Sequence, residues 1–293
     1  MQIINSQKVL EEFCRELSTK KWLSIDTEFE RRYTYYAKLS IIQVKAEGCS
    51  IIIDAINNLA LNVFNKLLID NNIIKIFHAP REDFEIFYNL FKTLPSNIFD
   101  VQVAANVCGL GSQLSYDDIC YKLFKINIDK THQKSNWLKR PITEDMLNYA
   151  FLDVEYLDKI YKQLNKIILD NNLTNQYQSM LQFLFNIKNY EVKPEDAWKK
   201  VKFRIEIKDF NTKIQMLAAY REEKAQTINI PRKHFISDED LMKLCKYLPL
   251  TEQDFKNLNL KSRHLLKPRY KEELIQLCNS YIVRPPKLYK PYR

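Results

Sequence analysis

The sequence predicts an α/β domain followed by a small all-helical module. Three features carry this. Between residues 22 and 54, three apolar, β-branched runs are parted by short connections. From about residue 59 to residue 169, strand-like runs alternate with stretches of helical period. Beyond residue 205 only the helical period recurs, and the charge balance turns strongly basic.

The chain has 293 residues, 46% hydrophobic and 28% charged, which suits one large or two ordinary globular domains. No apolar run approaches the roughly 20 residues that span a bilayer. Residues 1–17, with Glu11, Glu12 and Glu16, read as an amphipathic helix and not as a leader, so a cytoplasmic protein is expected. The six cysteines are scattered without ligand spacing, and most are expected to be buried reduced thiols, with no zinc site. Residues 1–192 carry 22 Lys and Arg against 23 Asp and Glu, whereas residues 193–293 carry 23 against 13. The basic excess is therefore C-terminal, and it suits either a polyanionic partner such as nucleic acid or a solvated surface.

The first strand, Trp22-Leu23-Ser24-Ile25-Asp26-Thr27-Glu28-Phe29, holds the chief anomaly. Asp26 and Glu28 are two apart, so both point to one face of a mostly apolar strand. Two anions there repel each other unless a cation lies between them, and a divalent metal is the obvious candidate. The plainer alternative is the frayed, solvated end of a strand. Two more strands follow, at residues 39–44 and 50–54, giving an antiparallel meander. The intervening loop, Arg31-Arg32-Tyr33-Thr34-Tyr35-Tyr36, interleaves arginines with tyrosines and could grip phosphates and stack bases.

Leu59, Val63, Leu67 and Leu68 mark a helix, residues 73–77 a strand, and His78-Ala79-Pro80 leads into a helix with Asp83 in its first turn, where the dipole favours an anion. Residues 98–101 open another strand or helix. Gly109-Leu110-Gly111 is a turn, and Ser115-Tyr116-Asp117-Asp118 resembles a capping box. After a polar, basic loop at residues 130–137, Thr143 caps a helix expected to run on towards Leu169. Tyr149 and Asp153, four apart, share a face beside its apolar stripe. That pair could be a structural hydrogen bond or could orient a water on a metal.

The stretches Ile25-Asp26-Thr27-Glu28-Phe29, His78-Ala79-Pro80-Arg81-Glu82-Asp83, and Trp137-Leu138-Lys139-Arg140-Pro141-Ile142-Thr143 followed by Tyr149-Ala150-Phe151-Leu152-Asp153 resemble the three exonuclease motifs of the ribonuclease D family. The resemblance implies a ribonuclease H-like mixed-sheet domain over residues 1–170. It makes Asp26, Glu28, Asp83 and Asp153 the ligands of two divalent ions, Mg²⁺ or Mn²⁺, with Tyr149 orienting the attacking water. Thr27, Arg31, Tyr35, His78, Lys130 and Trp137 are the candidate nucleic-acid contacts. Pro80 and Arg81 depart from the small residues usual in the family. Residues 218–225, 228–232 and 237–241 resemble an HRDC domain, expected over residues 207–283, after a helical linker at 171–206 and before a basic tail at 284–293.

What the resemblance implies is a metal-dependent 3′-to-5′ exoribonuclease releasing nucleoside 5′-monophosphates from RNA such as tRNA precursors with 3′ trailers; a monomer is expected. A DNA exonuclease on the same fold and a non-catalytic RNA-binding adaptor are the alternatives.

Overall fold

The computed structural model describes residues 2–133, 135–201 and 209–283. Lys134, the expected tail at 284–293, the end of the expected linker and the first two residues of the expected HRDC domain lie outside the described residues. The chain divides into two compact units. The first takes residues up to Glu30 and from Ala37 to Tyr190. The second takes Arg31–Tyr36 and the described residues from Glu191 on.

The first unit is built on β1 (Gln2–Ile4), α1 (Gln7–Leu17), β2 (Trp22–Glu30), β3 (Lys38–Ala46), β4 (Cys49–Asp54), α2 (Asn62–Leu68), β5 (Ile74–Phe77), α3 (Arg81–Phe91), β6 (Ile98–Asp100), α4 (Val101–Val107), α5 (Tyr116–Phe124), α6 (Glu144–Glu155), α7 (Leu157–Asp170) and α8 (Thr174–Leu181). Its six strands lie in the order β1-β4-β3-β2-β5-β6. β2, β3 and β4 form the antiparallel meander, and β1, β5 and β6 join it in parallel. Alternation along β3 and β4 sends Ile42, Val44, Ile51 and Ile53 into the larger core. Ile41 and Ile52 face the other way, under Trp137, Met146 and Ala150. Helix α6 packs on that second face.

Three differences from expectation have physical causes. The N-terminus is not one helix: Gln2–Ile4 pairs with Ile51–Ile53 at the sheet edge, so backbone pairing overrides local period. Residues 171–190 do not link two domains, because Tyr177, Leu181, Leu184 and Tyr190 are buried in the first core. The helix that starts after Thr143 does not run unbroken to Leu169 but stops at Glu155 and resumes at Leu157.

The expected caps are present. Ser115 and Asp118 form the capping box of α5, and the Thr143 hydroxyl accepts from Met146 N at 3.3 Å. All six cysteines are free, and burial pushes the thiols of Cys14 and Cys120 up to about 12.

The second unit comprises α9 (Phe210–Thr227), α10 (Arg232–Phe235), α11 (Asp238–Tyr247), α12 (Glu252–Asn257) and α13 (Pro268–Val283). Ile214, Leu217, Leu241, Leu244, Cys245, Leu274 and Cys278 form its core, on the faces that their spacing predicts. Among the described residues no helix is long and apolar enough to cross a membrane.

Candidate active site

Strand β2 delivers two carboxylates to one place. Asp26 and Glu28 are half-buried, and with Asp153 of α6 each offers an oxygen within 4.8 Å of the others. Just beyond Glu28 the pairing of β2 with β3 slips, so that Glu28 faces Ile41, Phe29 faces Leu39 and Ser40 is left unmatched. Such a bulge re-aims side chains beside a site. Here it frees the Ser40 hydroxyl to donate to the Trp137 carbonyl at 2.5 Å.

Asp83 arrives from the first turn of α3. The turn before it is sharp: Ala79 has a φ of 50°, and its N–H donates to Asp100 at 3.1 Å. Pro80 then leads directly into α3. Asp83 is 7% exposed and accepts a hydrogen bond from the Thr27 hydroxyl. It is not one of the close trio, but its charge acts on Asp26.

The electrostatics are those of crowded anions. Burial first, and then Asp83, Asp153 and Glu28, push the Asp26 carboxyl well above its ordinary range. Burial with Asp153 and Asp83 pushes Glu28 up to about 9. Burial raises Asp153 to about 7, with the Tyr149 hydroxyl pulling the other way by donating to it. Burial raises Asp83 to about 6 against the pull of Thr27. Tyr149 is itself pushed above its ordinary value, by burial and by the Asp153, Glu28 and Asp26 charges.

The donor set fits hard divalent ions. It is all oxygen and it is crowded, and burial with mutual repulsion raises the carboxyls' affinity for protons, with which a cation would compete. Opposite Asp26 on β3 stands Gln43, fully buried, with neither amide atom hydrogen-bonded. An orphaned amide beside a carboxylate cluster suits a hydrated ion.

Residues 1–169 match the sequence family described as 3′-5′ exonuclease, and residues 213–278 match the HRDC domain. The "Ribonuclease D" of Bartonella henselae is 36% identical over 259 residues, which cover 88% of this chain and 64% of that protein. The "Ribonuclease D" of Jannaschia sp. is 34% identical over 277 residues, covering 93% of this chain and 72% of that one. The chain belongs to the ribonuclease D family. The crystal structure of Escherichia coli RNase D, described as an exoribonuclease involved in structured RNA processing, agrees with a TM-score of 0.88 at 26% identity. That likeness covers 97% of this chain and 76% of the other.

The residues expected to contact nucleic acid differ widely in burial and partners. Trp137 is 2% exposed, packs in the small core with its ring 6.0 Å from that of Tyr149, and has no face free to stack a base. Thr27 is buried and spends its hydroxyl on Asp83. His78 is half-buried, 3.0 Å from the Leu114 carbonyl, and burial lowers its basicity. Lys130 is exposed and paired with Asp117 at 2.5 Å. Arg31 and Tyr35 belong to the second unit, where the Tyr35 hydroxyl donates to Glu222 and its ring lies 5.8 Å below Arg232.

Sequence reasoning missed the supports of this centre. Arg140 donates to both Asp54 oxygens, at 2.9 and 2.6 Å, and to the Trp137 carbonyl at 2.7 Å, which fixes the chain ahead of α6. Asp100, which accepts from the Ala79 N–H in the turn before α3, is another. A bidentate Arg–Asp pair 86 residues apart leaves no local sequence signal.

Proposed function

We propose that the protein is a divalent-metal-dependent 3′-to-5′ exoribonuclease that trims structured RNAs, tRNA precursors with 3′ trailers among them. The observation that carries this reading is the trio Asp26, Glu28 and Asp153, with Asp83 beside it, on the framework of the ribonuclease D family. These four carboxylates would hold Mg²⁺ or Mn²⁺. When bound, such ions activate water and stabilise a leaving 3′ oxygen.

The protein groups have matching tasks. Tyr149, held neutral at pH 7, keeps its proton and donates to Asp153, so it can orient a water but not deprotonate one. Hydrolysis adds water across the terminal phosphodiester: the P–O3′ bond breaks, a nucleoside 5′-monophosphate leaves, and the shortened RNA keeps a 3′ hydroxyl. The basic surplus beyond residue 192 would hold phosphates in a salt-dependent way. Six free cysteines fit a reducing cytoplasm, and the protein would act there as a monomer.

The test uses a 5′-labelled RNA with a stem and a 3′ trailer, beside a DNA copy, with Mn²⁺, Mg²⁺ or EDTA. A metal-dependent ladder shortening from the 3′ end of RNA is expected. Equal shortening of DNA would favour the DNA exonuclease, and binding without any shortening would favour the adaptor.

A further inference from the structure

Helix α6 brings Asp153 to the acidic centre and ends at Glu155. In an unbroken helix the Tyr156 N–H would donate to the Leu152 carbonyl. Here the Tyr116 hydroxyl stands in that gap. It accepts from Tyr156 N at 3.0 Å and donates to Leu152 O at 2.9 Å. Lys45, from β3, takes the carbonyl of Glu155 and pairs with the Glu155 and Asp158 carboxylates at 3.1 and 3.2 Å. Residues 149–158 contain neither Gly nor Pro, so the local sequence gives no reason for a break. A side chain inserted into the hydrogen-bond ladder does.

The break matters because of where Asp153 sits. A carboxylate in the last turn of a helix faces unpaired carbonyls and the negative end of the dipole, which disfavour it. Tyr116 and Lys45 occupy two of those carbonyls. The Tyr116 side chain is also close enough for Asp153 to raise its phenol further above the ordinary value, after burial and Cys120.

We propose that Tyr116 and Lys45 are positioning residues. By holding α6 broken at Tyr156 they set the direction from which Asp153 meets Asp26 and Glu28, and so set the affinity of the metal centre. This inference rests on the metal-dependent reading above. Neither residue touches the reacting atoms; each acts through the backbone around Asp153. The expected loss of metal affinity on removing such a support is about 10–100-fold.

The experiment titrates the purified full chain with Mn²⁺, reading free Mn²⁺ by electron paramagnetic resonance, and measures kcat and KM on the RNA. The proteins are the wild type, Asp153→Asn, Tyr116→Phe, Lys45→Met and Leu10→Ala. The last is a core variant in α1 that destabilises the same unit without touching the break. Tyr116→Phe and Lys45→Met are expected to weaken Mn²⁺ binding at least about tenfold and to lower kcat, with KM within about twofold. Leu10→Ala should bind Mn²⁺ as the wild type does. If Tyr116→Phe does not fold, Lys45→Met decides. Wild-type Mn²⁺ affinity in the folded variants would overturn the positioning role. A wild type that takes up no Mn²⁺ would overturn the metal reading itself, and this inference with it.

Discussion

Around Asp26 carboxylates crowd one another, whereas among the described residues of the helical unit the buried charges Arg221, Glu222 and Asp240 each meet an opposite charge or donors aimed at them. Arg221, 2% exposed, donates to Asp238 at 2.7 Å. Glu222, fully buried, meets Arg232 at 3.0 Å and accepts from Tyr35. Asp240, also fully buried, accepts from the Lys261 and Ser262 backbone N–H groups at 2.9 and 2.7 Å and from the Ser262 hydroxyl at 2.5 Å. Paired buried charge fixes loops against helices. Unpaired like charge destabilises the fold that carries it, and a protein keeps it where a cation is to be bound.

The sharpest way to break that contrast is to neutralise one anion in each unit. Asp26→Asn should reduce turnover at least about 10³-fold, since charge stabilisation in the transition state is usually the largest single contribution. RNA affinity should stay within about threefold, and thermal stability without metal should hold or rise because the side chain can no longer ionise among buried like charges. Steady-state kinetics, filter binding and thermal melts measure the three. A variant keeping more than a tenth of the wild-type rate would remove Asp26 from the metal centre.

The matching change in the helical unit has the opposite signature. Asp240→Ala leaves buried N–H donors without an acceptor and should destabilise that unit by about 3 kcal/mol. Faster amide exchange across α9 and α11 is expected, with hydrolysis of short oligomers retained. Unchanged exchange would mean that the Asp240 contacts contribute little to holding residues 261–262 to the bundle.

What the sequence made legible divides along the same line. Asp26 and Glu28 were readable because a strand repeats every two residues, and Tyr149 and Asp153 because a helix brings residues four apart together. The first-turn place of Asp83 is explained by the helix dipole alone, and only the resemblance to the family's motifs joins it to the other carboxylates. The two pairings are local signals, whereas the grouping of the three stretches is not. The break at Tyr156 was not readable, since its cause is a hydroxyl 40 residues away in another helix. Trp137, a candidate nucleic-acid contact at the end of a basic loop, is buried against Ile41 and Ile52, on strands far back in the chain. Tyr35 looked free for the same reason: its partners lie more than 180 residues on.

The smallest expected effect lies in pH, and it sharpens the contrast most directly. Glu28 is pushed up to about 9, Asp153 to about 7 and Asp83 to about 6, all above ordinary carboxyl values. Between those ordinary values and the raised ones, the metal-free folded protein binds more protons than the unfolded chain. Its stability therefore falls as pH rises through that window. Lys75 is pushed down to about 8 by burial, and His78 is lowered likewise; both act with the opposite sign. The informative quantity is thus the difference between wild type and Glu28→Gln over about pH 5 to 8, which removes one raised carboxyl and leaves Lys75 and His78 in place. In EDTA the wild-type melting temperature should decline more steeply with pH than that of Glu28→Gln, by roughly 2–4 °C for each kcal/mol of linkage. Saturating Mn²⁺ should flatten the wild-type slope, because a bound ion displaces those protons and favours the ionised carboxylates. Equal slopes for wild type and Glu28→Gln in EDTA would show that the carboxylates of the first unit are not crowded in solution.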